Sequence, residues 1–176
     1  DYPFFADRNF VYLTGITRDA GLVYMAKKAG ASFEEILFLL PPDMMKERWT
    51  GRRTKADEAT AVSGITTIAY TDDFRPKFRE WARDCSAVYL DIDGTRGERD
   101  FTEANRFAAD VLAHGMNVAN VRPVLAGLRT IKAPCEIDAM REAVRITGEG
   151  ICAMMRGVRD GMKEYEIKQL YDAALV

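Results

Sequence analysis

Three short apolar runs rich in β-branched and aromatic side chains open the chain, at residues 9–14, 21–26 and 34–40. Gly15, Asp19 and Gly30 stand in the gaps as turn residues. Three strands with short connections predict an antiparallel meander. The rhythm then changes. Thr54 is placed to cap a helix that runs to about Ser63 and stops at Gly64, and residues 65–70 follow as a strand. Asp72 or Asp73 is placed to cap the next helix, whose Phe74, Phe78 and Trp81 recur at helical spacing. A strongly apolar strand is expected over 87–92. Thr102 then opens a helix that carries Phe107, Val111 and Leu112 on one face and ends at Gly115. Residues 118–121 read as a short strand, and Pro123 sits where another helix begins. Strands alternating with helices predict parallel pairing with helices packed on the sheet faces, so a mixed α/β domain is expected over residues 1–132.

The Lys132-Ala133-Pro134 sequence marks a break, because the residue before a proline is pushed out of the helical region. Beyond it, Ile137, Met140, Val144, Ile151, Met154 and Val158 form one apolar stripe on a long helix. Gly148, Gly150 and Gly157 each weaken that helix by about 1 kcal/mol relative to Ala, so packing must support it. Gly161 ends it, and residues 163–176 form a second amphipathic helix. Two helices cannot bury their apolar faces alone. Residues 133–176 are therefore expected to be the incomplete start of a second domain.

Composition narrows the class. The 176 residues are 48% hydrophobic and 30% charged, as in a globular protein with a core. A net charge of −2 from 25 basic and 27 acidic residues offers nothing that would concentrate nucleic acid or an anionic membrane surface. No apolar run approaches the roughly 20 residues of a membrane span. The opening residues have neither an initiator Met nor a signal pattern, and the expectation is a chain entered in mid-sequence. Cys85, Cys135 and Cys152 are odd in number and widely spaced, which fits buried or idle thiols in a reducing, cytoplasmic setting.

Candidate chemistry lies in three places. An apolar strand leading into Asp91-Ile92-Asp93-Gly94-Thr95 resembles the first motif of haloacid dehalogenase-like phosphatases, which would make Asp91 a nucleophile and Asp93 an acid/base beside Mg²⁺. The chain after Thr95 lacks a convincing acidic pair at a strand end, so a polar turn after the strand is the plainer account. His114, the one histidine, precedes Gly115 at an expected helix end, where an imidazole meets the last carbonyls. The third place follows Pro41-Pro42-Asp43: Glu47-Arg48-Trp49-Thr50-Gly51-Arg52-Arg53. Trp49 beside Arg52 and Arg53 suits gripping a peptide carboxylate or stacking on a ring. A Trp packed under its own loop among solvated arginines is the equal alternative.

Taken together, several segments resemble the aminopeptidase P/prolidase family. Tyr2-Pro3-Phe4-Phe5-Ala6-Asp7-Arg8-Asn9-Phe10-Val11-Tyr12-Leu13-Thr14-Gly15 is similar to that family's first strand, and Pro41-Pro42-Asp43 with Glu47, Trp49, Gly51 and Arg52 to its substrate-side loop. Leu128-Arg129-Thr130-Ile131-Lys132 with Glu136-Ile137 and Met140-Arg141 is similar to the junction between its domains. Gly161-Met162-Lys163-Glu164-Tyr165-Glu166 is similar to the turn between the first helices of its catalytic domain. Each motif is weak alone; four in order are specific.

The resemblance implies a creatinase-type amino-terminal domain, with a ribonuclease-H-like mixed sheet and flanking helices, followed by the opening helices of a pita-bread domain. It further implies an Xaa-Pro peptidase that holds two divalent cations, often Mn²⁺, in a homo-oligomer. The ligands are expected beyond residue 176, so no metal or catalytic role falls on this chain, and alone it is expected to be inactive. Trp49 and Arg52, with Arg53 after them, match a loop lent to a neighbouring subunit's site for a proline-containing peptide. The rival readings are the Mg²⁺-dependent phosphatase and a non-catalytic interaction module.

Overall fold

Asp7 decides how the described chain begins. In the computed structural model, which describes residues 5–18, 22–30, 32–92 and 103–175, its carboxylate accepts the backbone N–H groups of Asn9 at 2.8 Å and Phe10 at 3.0 Å. That caps a helix, α1 (Arg8–Thr14), which Gly15 closes at φ 72° by donating its N–H to the Val11 carbonyl. The strand expected over residues 9–14 is therefore a helix, and the meander reduces to a hairpin. The aromatic and β-branched content suggested a strand, but the two capping residues outweigh it.

The hairpin pairs β1 (Val23–Ala29) with β2 (Ser32–Leu39) in antiparallel register from Val23↔Phe38 to Ala29↔Ser32. The helices α2 (Met44–Thr50) and α3 (Ala56–Ser63) follow, then β3 (Ile68–Tyr70), which lies parallel to β2 through Leu37↔Ile68. A 3-10 turn (Thr71–Asp73) leads into α4 (Phe74–Ala82); Asp73 holds the cap position without a side-chain bond. Next come β4 (Ala87–Leu90), α5 (Glu103–Ala113) and β5 (Asn117–Asn120), with β4 and β5 parallel. Among the described residues the strands form two sheets, β1-β2-β3 and β4-β5. Thr102, expected to open α5, and Asp19, expected in a turn, lie outside the described residues.

The second half of β2, from Ile36 to Leu39, is buried on both faces, which explains its unbroken apolar run. Leu37 and Leu39 pack with Ile16, Ala59 and Ile65 on one side. Ile36 and Phe38 pack with Trp81 on the other. Each such large side chain contributes about 1.5–3 kcal/mol through removal from water. Phe38 meets Phe74 edge-on at 5.5 Å, and Phe74, Phe78 and Phe107 continue the aromatic cluster between α4 and α5. Of the α5 positions expected on one face, Val111 is 2% exposed and Leu112 57%. Adjacent helical residues diverge by about 100°, which turns Leu112 outward.

The chain divides into two compact units, Asp1–Arg122 and Pro123–Val176, a division that falls ahead of the break expected at Lys132. The second unit contains α6 (Arg122–Thr130) apart from its first residue, α7 (Pro134–Gly157) and α8 (Glu164–Ala173). Glu136 and Glu166 each accept the backbone N–H of the residue capping their helix, Ala133 at 2.8 Å and Lys163 at 2.7 Å. Two glycines let α8 lie close against α7. A Cβ on Gly150 would stand 2.7 Å from ring carbons of Tyr171, and one on Gly157 would stand 2.7 Å from Leu170 Cδ1. Gly148 faces open space.

Candidate functional site

The Trp49 segment is a short helix fixed at both ends. Asp43 caps α2 by accepting the N–H groups of Met45 at 3.2 Å and Lys46 at 3.1 Å, and Glu47 returns the bond by accepting the Asp43 N–H at 3.1 Å. The Lys46 N–H bond above all holds the Asp43 carboxyl below its ordinary range. Gly51, at φ 89°, ends the helix by donating its N–H to Glu47. Only a residue without a side chain takes that conformation without strain.

The two arginines after Gly51 anchor this loop. Arg52 grips Glu58 with both arms of its guanidinium, at 2.9 and 2.7 Å. Glu58 also accepts the Lys55 N–H at 3.2 Å and so completes the first turn of α3, whose cap residue is Lys55 rather than the expected Thr54. The Arg52 hydrogen bond, followed by the Lys55 N–H, lowers the Glu58 carboxyl to about 2. Arg53 donates from Nη1 back to the Pro41 carbonyl. One arginine thus ties the loop forward to α3 and the other ties it back to its start.

Trp49 takes part in none of this. It is 88% exposed, and Met44 and Met45 are exposed on the same helix. The packed alternative for Trp49 does not hold: its indole projects from a capped helix, and Arg52 and Arg53 beyond it are engaged with Glu58 and Pro41. The structure therefore does not gather Trp49, Arg52 and Arg53 around one point. It presents an aromatic ring on a braced support.

Asp91 lies just past β4. Its Oδ2 accepts Asn9 Nδ2 at 2.8 Å and its Oδ1 accepts Arg122 Nε at 2.5 Å. Arg122 is aligned in turn by its backbone N–H, which donates to Asn120 Oδ1 at 2.9 Å. A carboxylate held from both sides joins α1, the end of β4 and the segment after β5, and this is a structural part. Asp93, Gly94 and Thr95, the remainder of the phosphatase-like motif, lie outside the described residues. His114 Nδ1 donates to the Asp110 carbonyl at 2.7 Å, the helix-end contact expected of it. Sequence reading passed over a row of arginines along α4 and its C-cap (Arg75, Arg79 and Arg83), which an i, i+4, i+8 count would have found.

Among the described residues no three His, Cys, Asp or Glu side chains come together to hold a metal ion. They do not fit the two-cation centre that the resemblance implies, and no chemical step is derived through it. Cys85 is half-buried, Cys135 and Cys152 are exposed, and all three are free. No helix of the described residues is long and apolar enough to cross a membrane.

Comparison with known proteins bears on the whole chain. It is 27% identical over 167 residues to the Xaa-Pro aminopeptidase of Haemophilus influenzae, covering 95% of this chain and 37% of that protein. It is 25% identical over 158 residues to Xaa-Pro aminopeptidase 3 of Homo sapiens, covering 88% of this chain and 31% of that one. A solved structure from Bacillus anthracis, provisionally named an aminopeptidase P, matches with a TM-score of 0.90 at 31% identity, over 99% of this chain and 42% of that one. Escherichia coli aminopeptidase P with the inhibitor Pro-Leu matches with a TM-score of 0.81 at 24% identity, over 98% and 40%, a likeness of fold. The chain spans well under half the length of each of these relatives. Its mixed α/β fold follows the aminopeptidase P structures from end to end, and residues 1–89 match the family described as aminopeptidase P, N-terminal domain. The chain belongs to the aminopeptidase P N-terminal domain family.

Proposed function

We propose that these 176 residues form the amino-terminal part of a dimetal-dependent Xaa-Pro peptidase, a hydrolase that cleaves the peptide bond before proline. The observation that carries the reading is the likeness over 95% of the chain to an Xaa-Pro aminopeptidase. In this reading two divalent cations, often Mn²⁺, are held by residues other than those described here. They would supply the Lewis-acid chemistry that activates water for the hydrolysis. The 176 residues by themselves are inactive; their work is to support association of subunits and to shape the site for a proline-containing peptide. A cytoplasmic setting accords with three free thiols.

Trp49 is the contact assigned to substrate, offered to a neighbouring subunit's site. Its exposure on a capped helix supports the role, since an aromatic ring on a firm base loses little freedom when it meets a ligand. Arg52 and Arg53 hold the loop that carries it and reach the substrate with whichever N–H groups Glu58 and Pro41 leave open. The interaction-module reading draws on the same exposed Met44, Met45 and Trp49. Hydrolysis of a Gly-Pro-Gly peptide with Mn²⁺ separates the two, measured on the 176-residue chain and on the protein that contains it. Cleavage by the containing protein alone supports the peptidase reading. Cleavage by neither overturns it and leaves the interaction module.

A further inference from the structure

The three arginines of α4 and its C-cap line one side of a cleft in the first unit, about 390 Å³ in volume, whose other side is the end of α5. Arg75, Arg79 and Arg83 recur every four residues, so their guanidinium groups follow one edge of the helix for about 12 Å. Asp110 on α5 and His114 just past its end face them, and Phe78, Ala82, Val111 and Met116 make an apolar floor. Like charges at this spacing repel and weaken the helix. Their acidic neighbours in the chain do not relieve them: Glu80 pairs with Lys77 at 2.9 Å and Asp84 lies 3.9 Å from Lys27.

Within the cleft the cations divide into two kinds. Arg75 is set in place, paired with Asp110 and lying 5.1 Å over the Phe107 ring. Among the described residues, Arg79 and Arg83 have no acidic partner. His114 is fixed through Nδ1 by the Asp110 carbonyl, which leaves Nε2 available at the rim. The floor is backed by the edge-to-face Phe78–Phe107 pair at 4.8 Å.

We propose that this cleft binds an extended acidic peptide segment of a partner protein, with carboxylates against Arg79 and Arg83 and an apolar side chain on the floor between α4 and α5. One helical turn separates the two arginines, about 6 Å, and in an extended peptide residues two apart lie about 6.7 Å from each other. Acidic residues at alternate positions therefore meet successive arginines. The side chains between them are apolar in a matching ligand, and the open side of the cleft leaves room for a chain to enter and leave. Arginine rows of this kind recognise acidic motifs by paired N–H···O bonds. This site is independent of the peptidase reading and lies apart from Trp49 in sequence and in its lining residues.

The test is a titration of the full 176-residue chain with the peptide acetyl-Glu-Leu-Glu-Leu-Glu-amide, followed by amide chemical shifts. The expected result is saturable shifts confined to α4 and the last turn of α5. The affinity should fall at least about tenfold in the double variant R79E/R83E, and several-fold when salt rises from about 50 to about 500 mM. R79Q/R83Q removes the charge without adding repulsion and should weaken binding as well, with all other amide shifts unchanged. Shifts scattered over the surface, or equal affinity in the double variants, overturn the proposal. Equal shifts from inorganic phosphate alone would make the cleft a simple anion site and likewise overturn it.

Discussion

Arg52 and Glu58 meet through two parallel N–H···O bonds, at 2.9 and 2.7 Å, and this pair fastens the Trp49 loop to the start of α3. The Glu58 carboxyl, lowered from its ordinary 4.5 to about 2, is more acidic in the folded chain than in the unfolded one. A group depressed in this way contributes stability above its unfolded value, and the contribution fades as pH falls through the folded value. The loop should therefore hold firm above pH 4.5 and loosen between pH 4.5 and 2. Carbon-13 titration of Glu58 should give a midpoint near 2, moving back towards 4.5 in Arg52→Gln. An ordinary midpoint in the unaltered chain would contradict the pair.

Trp49 should be separable from Trp81 by quenching. One is 88% exposed and the other 7%, so acrylamide should reveal an accessible and a protected emission. Trp49→Phe should remove only the accessible one, with stability changed by less than about 0.5 kcal/mol. In the proposed peptidase, Trp49→Ala should lower kcat/KM for an Xaa-Pro peptide roughly fivefold, the equivalent of about 1 kcal/mol from one aromatic contact. A shift in melting temperature without a change in kcat/KM would reverse both halves of this expectation.

Asp91→Ala removes the acceptor shared by Asn9 and Arg122. Hydrogen bonds to a charged group contribute about 1.5–3 kcal/mol, and partial exposure of this one reduces the expected loss to about 1–2 kcal/mol. Urea unfolding measures it. The variant tests the phosphatase reading too: if the 176-residue chain hydrolyses a phosphate ester with Mg²⁺ and Asp91→Asn abolishes the activity, the structural account of Asp91 fails.

The α7 glycines make a graded series. Gly148→Ala meets open space and should stabilise α7 by up to about 1 kcal/mol. Gly157→Ala presses on the flexible side chain of Leu170, whose shift should offset the gain in helix propensity and leave the variant close to neutral. Gly150→Ala drives a methyl into the Tyr171 ring, and an overpacking cost of about 1–3 kcal/mol should exceed the gain in helix propensity. Denaturant midpoints of the three variants give the order, and Gly150→Ala as the most stable would refute the packing argument.

Much of the fold was legible because its causes are local. The apolar run of β2, the Gly64 stop after α3, the aromatic spacing of α4 and the stripe on α7 each lie within one element. Residues 9–14 were misread for an equally local reason: Asp7 and Gly15 flank a run whose composition suits a strand, and caps outweighed composition. Asp91 marks a different limit. A polar turn after the strand was the plainer account of it, but its partners lie 82 and 31 residues away in the chain, and no spacing rule ties Asn9 or Arg122 to it. The Trp49 loop was recognisable as a cluster. The engagement of its arginines with Glu58 and Pro41, which decides what they leave open, needed coordinates.

The tether through Asp91 also sets an order in time. Asn9 is synthesised early and Arg122 more than a hundred residues later, an interval of roughly 6–23 seconds at about 5–20 residues per second. Until then α1 has its Asp7 cap and its Gly15 stop, both made within a few residues of itself. The capping residues that outweigh the strand-like composition thus bias this segment towards a helical turn from the start, and the seven-residue helix becomes firm once the far end of the unit has left the ribosome.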